Sequence, residues 1–271
     1  MEKLSIFSRI LLTFKILFSV LFLGFISLAI FFVYVINKEA KFAIGAGTQG
    51  TQFSQFIFAK LIKDFPTYSD AFFEKSVPYN KRGFYYEGFQ LLNRAVDLNP
   101  KEHLGYRGWI KLNKLKDYQG AIKDFEKLDS LTPNYFDVNG GSINYLLAAA
   151  YQGAGNFEKS RTFYEKLFKA DEKQYPIFPI SYVNYGILLG NMGLHRLAIK
   201  QFDISLNKSN YKFAESYYNK ALIYKKLGEK DSVQILLKRA LDSYDQGYKI
   251  NDIYNEAFNE LYRDDIIRQI E

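Results

Sequence analysis

The sequence predicts an all-α chain, in which one transmembrane helix precedes a solenoid of about five stacked helix pairs closed by capping helices. Three observations carry that prediction. An uncharged run of 21 residues lies near the N-terminus. A turn followed by a small residue returns at a period of about 34 residues, with insertions of a few. Nothing downstream has the pattern of parallel strands.

The uncharged run is ILFSVLFLGFISLAIFFVYVI, Ile16 to Ile36. As a helix it would be roughly 31 Å long, matching a hydrocarbon layer of about 30 Å. Ser19, Gly24 and Ser27 are tolerable there because a helix satisfies its own backbone, and Tyr34 sits near one end, where an amphipathic ring favours the interface. A cleaved signal peptide has a shorter apolar region, of about 7 to 15 residues. Its small-x-small site would be Ser27-Leu28-Ala29, which is followed by seven more apolar residues, so an uncleaved anchor within residues 1–41 is expected. Lys3, Arg9 and Lys15 before the span outnumber Lys38 and Lys41 after it. The short N-terminal tail therefore reads as cytoplasmic and the large domain as extracytoplasmic, periplasmic in a bacterium.

Residues 42–50 read as a flexible linker. They include GAGTQG, Gly45 to Gly50, which spells the glycine fingerprint of a dinucleotide-binding loop, with Asp64 or Asp70 downstream as an acidic partner. That fingerprint works only between a strand and a helix of a βαβ unit, where the phosphate meets a helix N-terminus. A membrane helix precedes this one, so no nucleotide and no cofactor is expected. The similar QGAGN, Gln152 to Asn156, reads as an inter-helix turn. Next, TQFSQFIFAKLIKDFP, Thr51 to Pro66, reads as a helix packing on the first pair.

The best-patterned segment is NYLLAAAYQGAGNFEKSRTFYEKL, Asn144 to Leu167, where apolar residues at helical spacing flank a Gly-Asn break. Small residues at Ala148 and Ser160 would let the two helix axes approach closely. The same arrangement recurs: Gly83-Phe84-Tyr85 leads to Gly88, Lys116-Asp117-Tyr118 to Ala121, Gly155-Asn156-Phe157 to Ser160, Gly193-Leu194-His195 to Ala198, and Gly228-Glu229-Lys230 to Val233. Successive small residues are 33, 39, 38 and 35 apart. Pro78 falls inside the first helix of the first pair and should kink it. Pro176 and Pro179 mark the longest insertion. Ile250, Ile253, Tyr254, Ala257, Phe258 and Leu261 form an apolar stripe expected to make a capping helix over 250–270.

With these residues in view, the chain resembles the tetratricopeptide repeat family. Asn144, Leu147, Ala148, Tyr151, Gly155, Phe157, Ser160 and Tyr164 fit its pattern, as do Ala95 with Pro100, Ala121 and Phe125 with Pro133, Tyr182, Gly186, Gly193, Ala198 and Phe202, and Tyr217, Ala221, Tyr224, Gly228 and Ala240. The resemblance implies a right-handed solenoid over 51–271, with repeats near 69–102, 103–136, 141–174, 179–212 and 214–247. Lys230 departs from the aromatic expected at its turn, and the second repeat is one residue short, which leaves its register open.

Composition narrows the function classes. There is no cysteine, which removes disulfides and thiolate chemistry, and the two histidines, His103 and His195, are far apart with no metal-ligand spacing. Net charge is +7. Beyond residue 41 it falls to +4, with 31 basic and 27 acidic groups interspersed, so no nucleic-acid footprint is expected. His195 reads as a packing residue at a turn, and His103 as opening a helix. The acid pairs Asp264 with Asp265 and Asp124 with Glu126 read as solvated. No nucleophile motif such as G-x-S-x-G occurs. An enzyme is not expected.

The resemblance implies instead a membrane-anchored adaptor whose first helices line a concave groove for a protein partner, a peptide segment or a helix. Its groove-facing fifth and twelfth positions fall on Phe73, Tyr106, Tyr145, Val183 and Tyr218, and on Asn80, Asn113, Gln152 and Lys225. The aromatics would form a ladder and the amides would bond a peptide backbone. The lysine and asparagine that clamp a chaperone's C-terminal carboxylate are replaced by Phe73 and Val77, so that specificity is not implied. A structural subunit of an envelope assembly working through convex or end surfaces, and a glycan or cell-wall binding module, are the alternatives.

Overall fold

The computed structural model describes residues 6–31, 35–133, 136–138, 141–169, 177–208, 212–252 and 256–271. Among them are fourteen helices and one two-stranded ladder, and their contacts divide the chain into two compact units, Met1–Leu98 and Asn99–Glu271. The boundary falls after the first repeat.

In the first unit, α1 (Ile6–Ile30) has a 19-residue window, Ile10–Leu28, of mean hydropathy 2.3, none of it buried. It has the length and composition of a membrane span or a signal sequence. The helix starts well before the expected Ile16, and Tyr34 lies outside the described residues. The expected flexible linker is instead α2 (Lys38–Gly47), started by Asn37, whose side chain accepts the Ala40 N–H at 2.8 Å. The reason is packing. Gly45 is buried against α3 (Gln52–Asp64), where a Cβ would meet the Phe58 ring at 2.9 Å, and Ser54 donates its hydroxyl to the Gly45 carbonyl at 2.8 Å. Gly50 then turns the chain at φ 89° into α3, which Thr51 caps. The glycines of GAGTQG thus serve close approach and a turn.

Ile57, Phe58 and Leu61 of α3 pack on Ala71 of α4 (Ser69–Lys81), with Phe42 and Tyr68 around them. This shared apolar face groups the first repeat, α4 with α5 (Tyr85–Leu98), with the helices before it. α4 runs through Pro78 to Lys81. So near the helix end, the missing N–H removes one bond from the ladder.

The second unit holds four helix pairs: α6 (Pro100–Asn113) with α7 (Tyr118–Leu131), α8 (Ile143–Gly153) with α9 (Phe157–Lys169), α10 (Pro179–Asn191) with α11 (His195–Lys208), and α12 (Ala214–Leu227) with α13 (Lys230–Asp245). Each helix packs most extensively on its own partner. Every pair of the chain turns on a residue in the left-handed region: Gly83, Lys116, Gly155, Gly193 and Gly228, at φ 84°, 52°, 75°, 76° and 82°. Four are glycine, which adopts this region freely; Lys116 does so against its Cβ.

The small residues lie between the helices of a pair. Ser160 is buried and donates to the Ala148 carbonyl at 2.7 Å. Gly186 faces the Phe202 ring, and a Cβ there would come within 2.5 Å of it. His103 lies inside α6, not at its start, because Pro100 opens that helix with the fixed φ of a first position.

Two elements depart from the expected pattern. β1 (Phe136–Val138) and β2 (Gly141–Ser142) form a short antiparallel ladder between α7 and α8. It stays local, and Ser142 passes straight on to cap α8, accepting the Asn144 N–H at 3.2 Å. Among the described residues, the expected capping helix over 250–270 is helical only in α14 (Arg263–Ile270). Ile250 and Leu261 are buried, but from irregular backbone, with Asn259 at φ 60°; Ile253 and Tyr254 lie outside the described residues. The stripe is split because Ile250 and Ala257 pack with α10 residues such as Val183 and Leu188, whereas Leu261 and Ile266 pack with α12 and α13.

Candidate functional site

Within the second unit α10 lies against both α8 and α12, so these first helices form a continuous row. The chain's own C-terminal stretch crosses that row. The Tyr248 carbonyl accepts the Ala214 N–H at 2.8 Å, and the Ile250 N–H donates to Glu215 Oε1 at 2.9 Å, both at the start of α12. Farther on, Asn259 Nδ2 donates to Asn184 Oδ1 of α10 at 2.9 Å, and Asn184 Nδ2 donates to the Tyr145 hydroxyl of α8 at 2.8 Å. Lys116 Nζ reaches the Glu256 carbonyl at 3.0 Å, and in α14 Gln269 accepts from Lys225 Nζ of α12 at 3.0 Å. Residues 248–252 and 256–262 are thus bonded to α8 through α10, and to α10 and α12 directly.

Burial shapes the chemistry of this row. Asn184 is fully buried, with both its amide atoms used. Burial pushes the Tyr145 hydroxyl up to about 12, against a smaller opposite effect of the Asn184 bond. Burial also raises the fully buried Glu215 carboxyl from its ordinary 4.5 to about 7. Its own backbone N–H, the Ile250 N–H and the Lys249 charge pull it back down, and Glu260 adds to the rise. Glu215 Oε2 has no hydrogen-bond partner among the described residues.

The nine residues inferred from the repeat pattern have different surroundings. Val183 is fully buried in the core with Tyr185 and Leu188. Gln152 is buried and accepts the Tyr164 hydroxyl of its own pair at 3.4 Å. Asn80 is buried between α4 and α5, its amide filling the space left by Gly88. Phe73 is half-buried in α4, in the other compact unit. Tyr218 faces Asp265 and Arg268 of α14, and burial and the Asp265 charge raise its hydroxyl. Lys225 is exposed and bonded to α14.

The open register of the second repeat is settled by packing. Gly108 faces the Phe125 ring as Gly186 faces Phe202. Counted from that contact, the fifth and twelfth positions are Gly105 and Leu112, both buried, one residue before Tyr106 and Asn113. Tyr106 instead stacks on Trp109, ring centroids 6.5 Å apart, and Asn113 donates to the Trp109 carbonyl at 3.1 Å. Gly108 precedes the left-handed Lys116 by eight residues where Gly186 precedes Gly193 by seven, so the second repeat, read as one residue short, instead carries one more residue between its packing glycine and its turn.

Asp124, expected to be solvated, is buried. Arg107 grips it with two bonds, of 2.9 and 2.7 Å, and Lys111 Nζ lies 2.7 Å from Oδ2. Its neighbour Glu126 accepts the Tyr151 hydroxyl, which Lys159 also approaches at 3.1 Å. Asn184, Glu215 and Asn259 carry no motif and were not legible as site residues. A buried polar group facing a segment about 35 or 75 residues away has no local signal.

A family model described as tetratricopeptide repeat matches residues 141–174 and 214–246. Among solved structures, the chain is similar to PilW, described as a widely conserved type IV pilus biogenesis factor (14% identity, TM-score 0.61, 78% of this chain and 96% of that one). It is similar to Pseudomonas aeruginosa pilF (14%, 0.59, 76% and 91%). It is also similar to YrrB, described as a TPR protein with an unusual peptide-binding site (15%, 0.55, 69% and 92%). No curated protein matches in sequence. The repeats matched at two places, the five helix pairs among the described residues and the structural likeness show that this chain has the tetratricopeptide repeat fold.

Proposed function

We propose that the chain is a non-enzymatic adaptor that captures an extended segment of a partner protein on the first-helix row of α8, α10 and α12, held at a membrane by α1 with the repeats on the extracytoplasmic side. One observation carries this reading: irregular polypeptide already lies on that row, hydrogen-bonded through Asn184 and Glu215. A face that satisfies the backbone and amide groups of one extended segment has the donors and acceptors for another. Anchoring by α1 would confine the search to the membrane plane and raise the effective concentration of partners there.

The test uses the full chain in intact membranes. Neighbours are crosslinked and identified for the wild type and for the Tyr145→Ala/Tyr218→Ala double variant, with far-UV circular dichroism confirming helicity. Loss of a neighbour in the variant supports the row as the binding face. Unchanged capture assigns it to convex or end surfaces, as in a structural subunit of an envelope assembly. Removing residues 1–41 should move the chain from the membrane to the soluble fraction.

A further inference from the structure

The segments 248–252 and 256–262 lie where the proposed partner would bind, and unlike α14 they are irregular and hydrogen-bonded to buried polar side chains of the row. α14 is held by an apolar contact, Ile266, fully buried against α12 and α13, and by Arg263, which makes two bonds to Asp245, of 2.8 and 3.0 Å. The segments before it are held on the row by polar bonds, from Asn259 to Asn184, from the Ile250 N–H to Glu215 and from the Ala214 N–H to the Tyr248 carbonyl, together with the buried side chains of Ile250 and Leu261. Asn259 adopts φ 60°, a region that favours glycine and asparagine. Glu256 is exposed, and Ala257 through Glu260 are only half-buried. A competitor that supplies the same polar bonds and an apolar residue in place of Ile250 can therefore exchange with these segments.

We propose that residues 248–252 and 256–262 are a resident intramolecular occupant of the row, displaced when a partner binds. The favoured partner is an extended peptide that offers a side-chain carboxamide to Asn184, a backbone N–H to Glu215 and a small apolar residue at the Ala257 position. This rests on the row being the binding face. Tethering through α13 and α14 gives the resident stretch an effective concentration on the order of millimolar, so the closed form excludes weak ligands and admits those that outcompete it.

The probe is a fluorescein-labelled synthetic peptide with the sequence of residues 248–262, titrated onto the full chain in detergent. Asn259→Ala and Ala257→Arg are independent ways of loosening the resident stretch; circular dichroism checks folding, and faster amide exchange at Ile250 and Asn259 checks release. The expected result is binding at least tenfold tighter to the loosened variants than to the wild type, abolished in both by adding Asn184→Ala. Equal affinity for the wild type and the loosened variants would overturn the occupancy while leaving the binding face intact. No binding to any of them, with exchange showing release, would overturn the binding face and the occupancy together.

Discussion

Replacing Glu215 by Gln tests the electrostatics of the row most directly. The carboxyl is raised from 4.5 to about 7, chiefly by burial, so the folded state prefers the neutral acid. For an acid raised on folding, stability is fullest below the ordinary value and is lost as pH rises from about 4.5 through about 7. A shift of this size corresponds to roughly 3 kcal/mol in full, of which about 2 kcal/mol falls between pH 5.5 and 8. Gln keeps the shape and still accepts the Ile250 N–H, but cannot ionise. The assay is urea unfolding of the full chain at the two pH values, read by fluorescence of Trp109, the single tryptophan and a member of the same compact unit. Subtracting the variant from the wild type removes every other titrating group. The wild type should lose about 2 kcal/mol more than the variant on going to pH 8. Equal slopes for the two proteins would refute the argument that Glu215 is folded as a neutral acid.

Other perturbations act through packing and backbone strain, and urea unfolding or thermal melting reads each. Lys116 sits at φ 52° where the other turns have glycine, so Lys116→Gly should be stabilising or neutral, whereas Gly155→Ala at φ 75° should cost about 1 kcal/mol. Asp124→Ala would leave Arg107 and Lys111 beside each other without their shared anion, and a loss of about 3 kcal/mol is expected; a loss under 1 kcal/mol would mean that water reaches the site. Gly186→Ala places a Cβ about 2.5 Å from the buried Phe202 ring and should cost about 1 to 3 kcal/mol, while the equally helical Gly190, with its nearest neighbour at 3.6 Å, should accept alanine without loss.

The sequence by itself determined the repeats. A left-handed turn favours glycine, close helix crossing needs a small residue, and both demands are local. Gly155 with Ser160, or Gly193 with Ala198, therefore announces a helix pair wherever it occurs. The apolar length of α1 is legible for the same reason. The Asn-Gly dipeptide at 139–140 is a hairpin signal as local as these, but reading for helical period passes over it.

Tertiary structure decided everything that depends on what lies opposite. Gly45 reads as flexible until Phe58 is packed on it, and the register of α6 is undetermined until the Phe125 ring meets Gly108. Asp124 reads as solvated until two cations from α6 close on it. The apolar stripe from Ile250 to Leu261 spells a helix, yet Ile250 and Ala257 belong to one apolar cluster and Leu261 to another, and burial on separate surfaces outweighs the helical period. The same competition laid that stretch across α10 and α12. Hydrogen bonding of Asn259 to Asn184 and of Ile250 to Glu215 joins residues 75 and 35 positions apart, a pairing that only the folded chain can bring about.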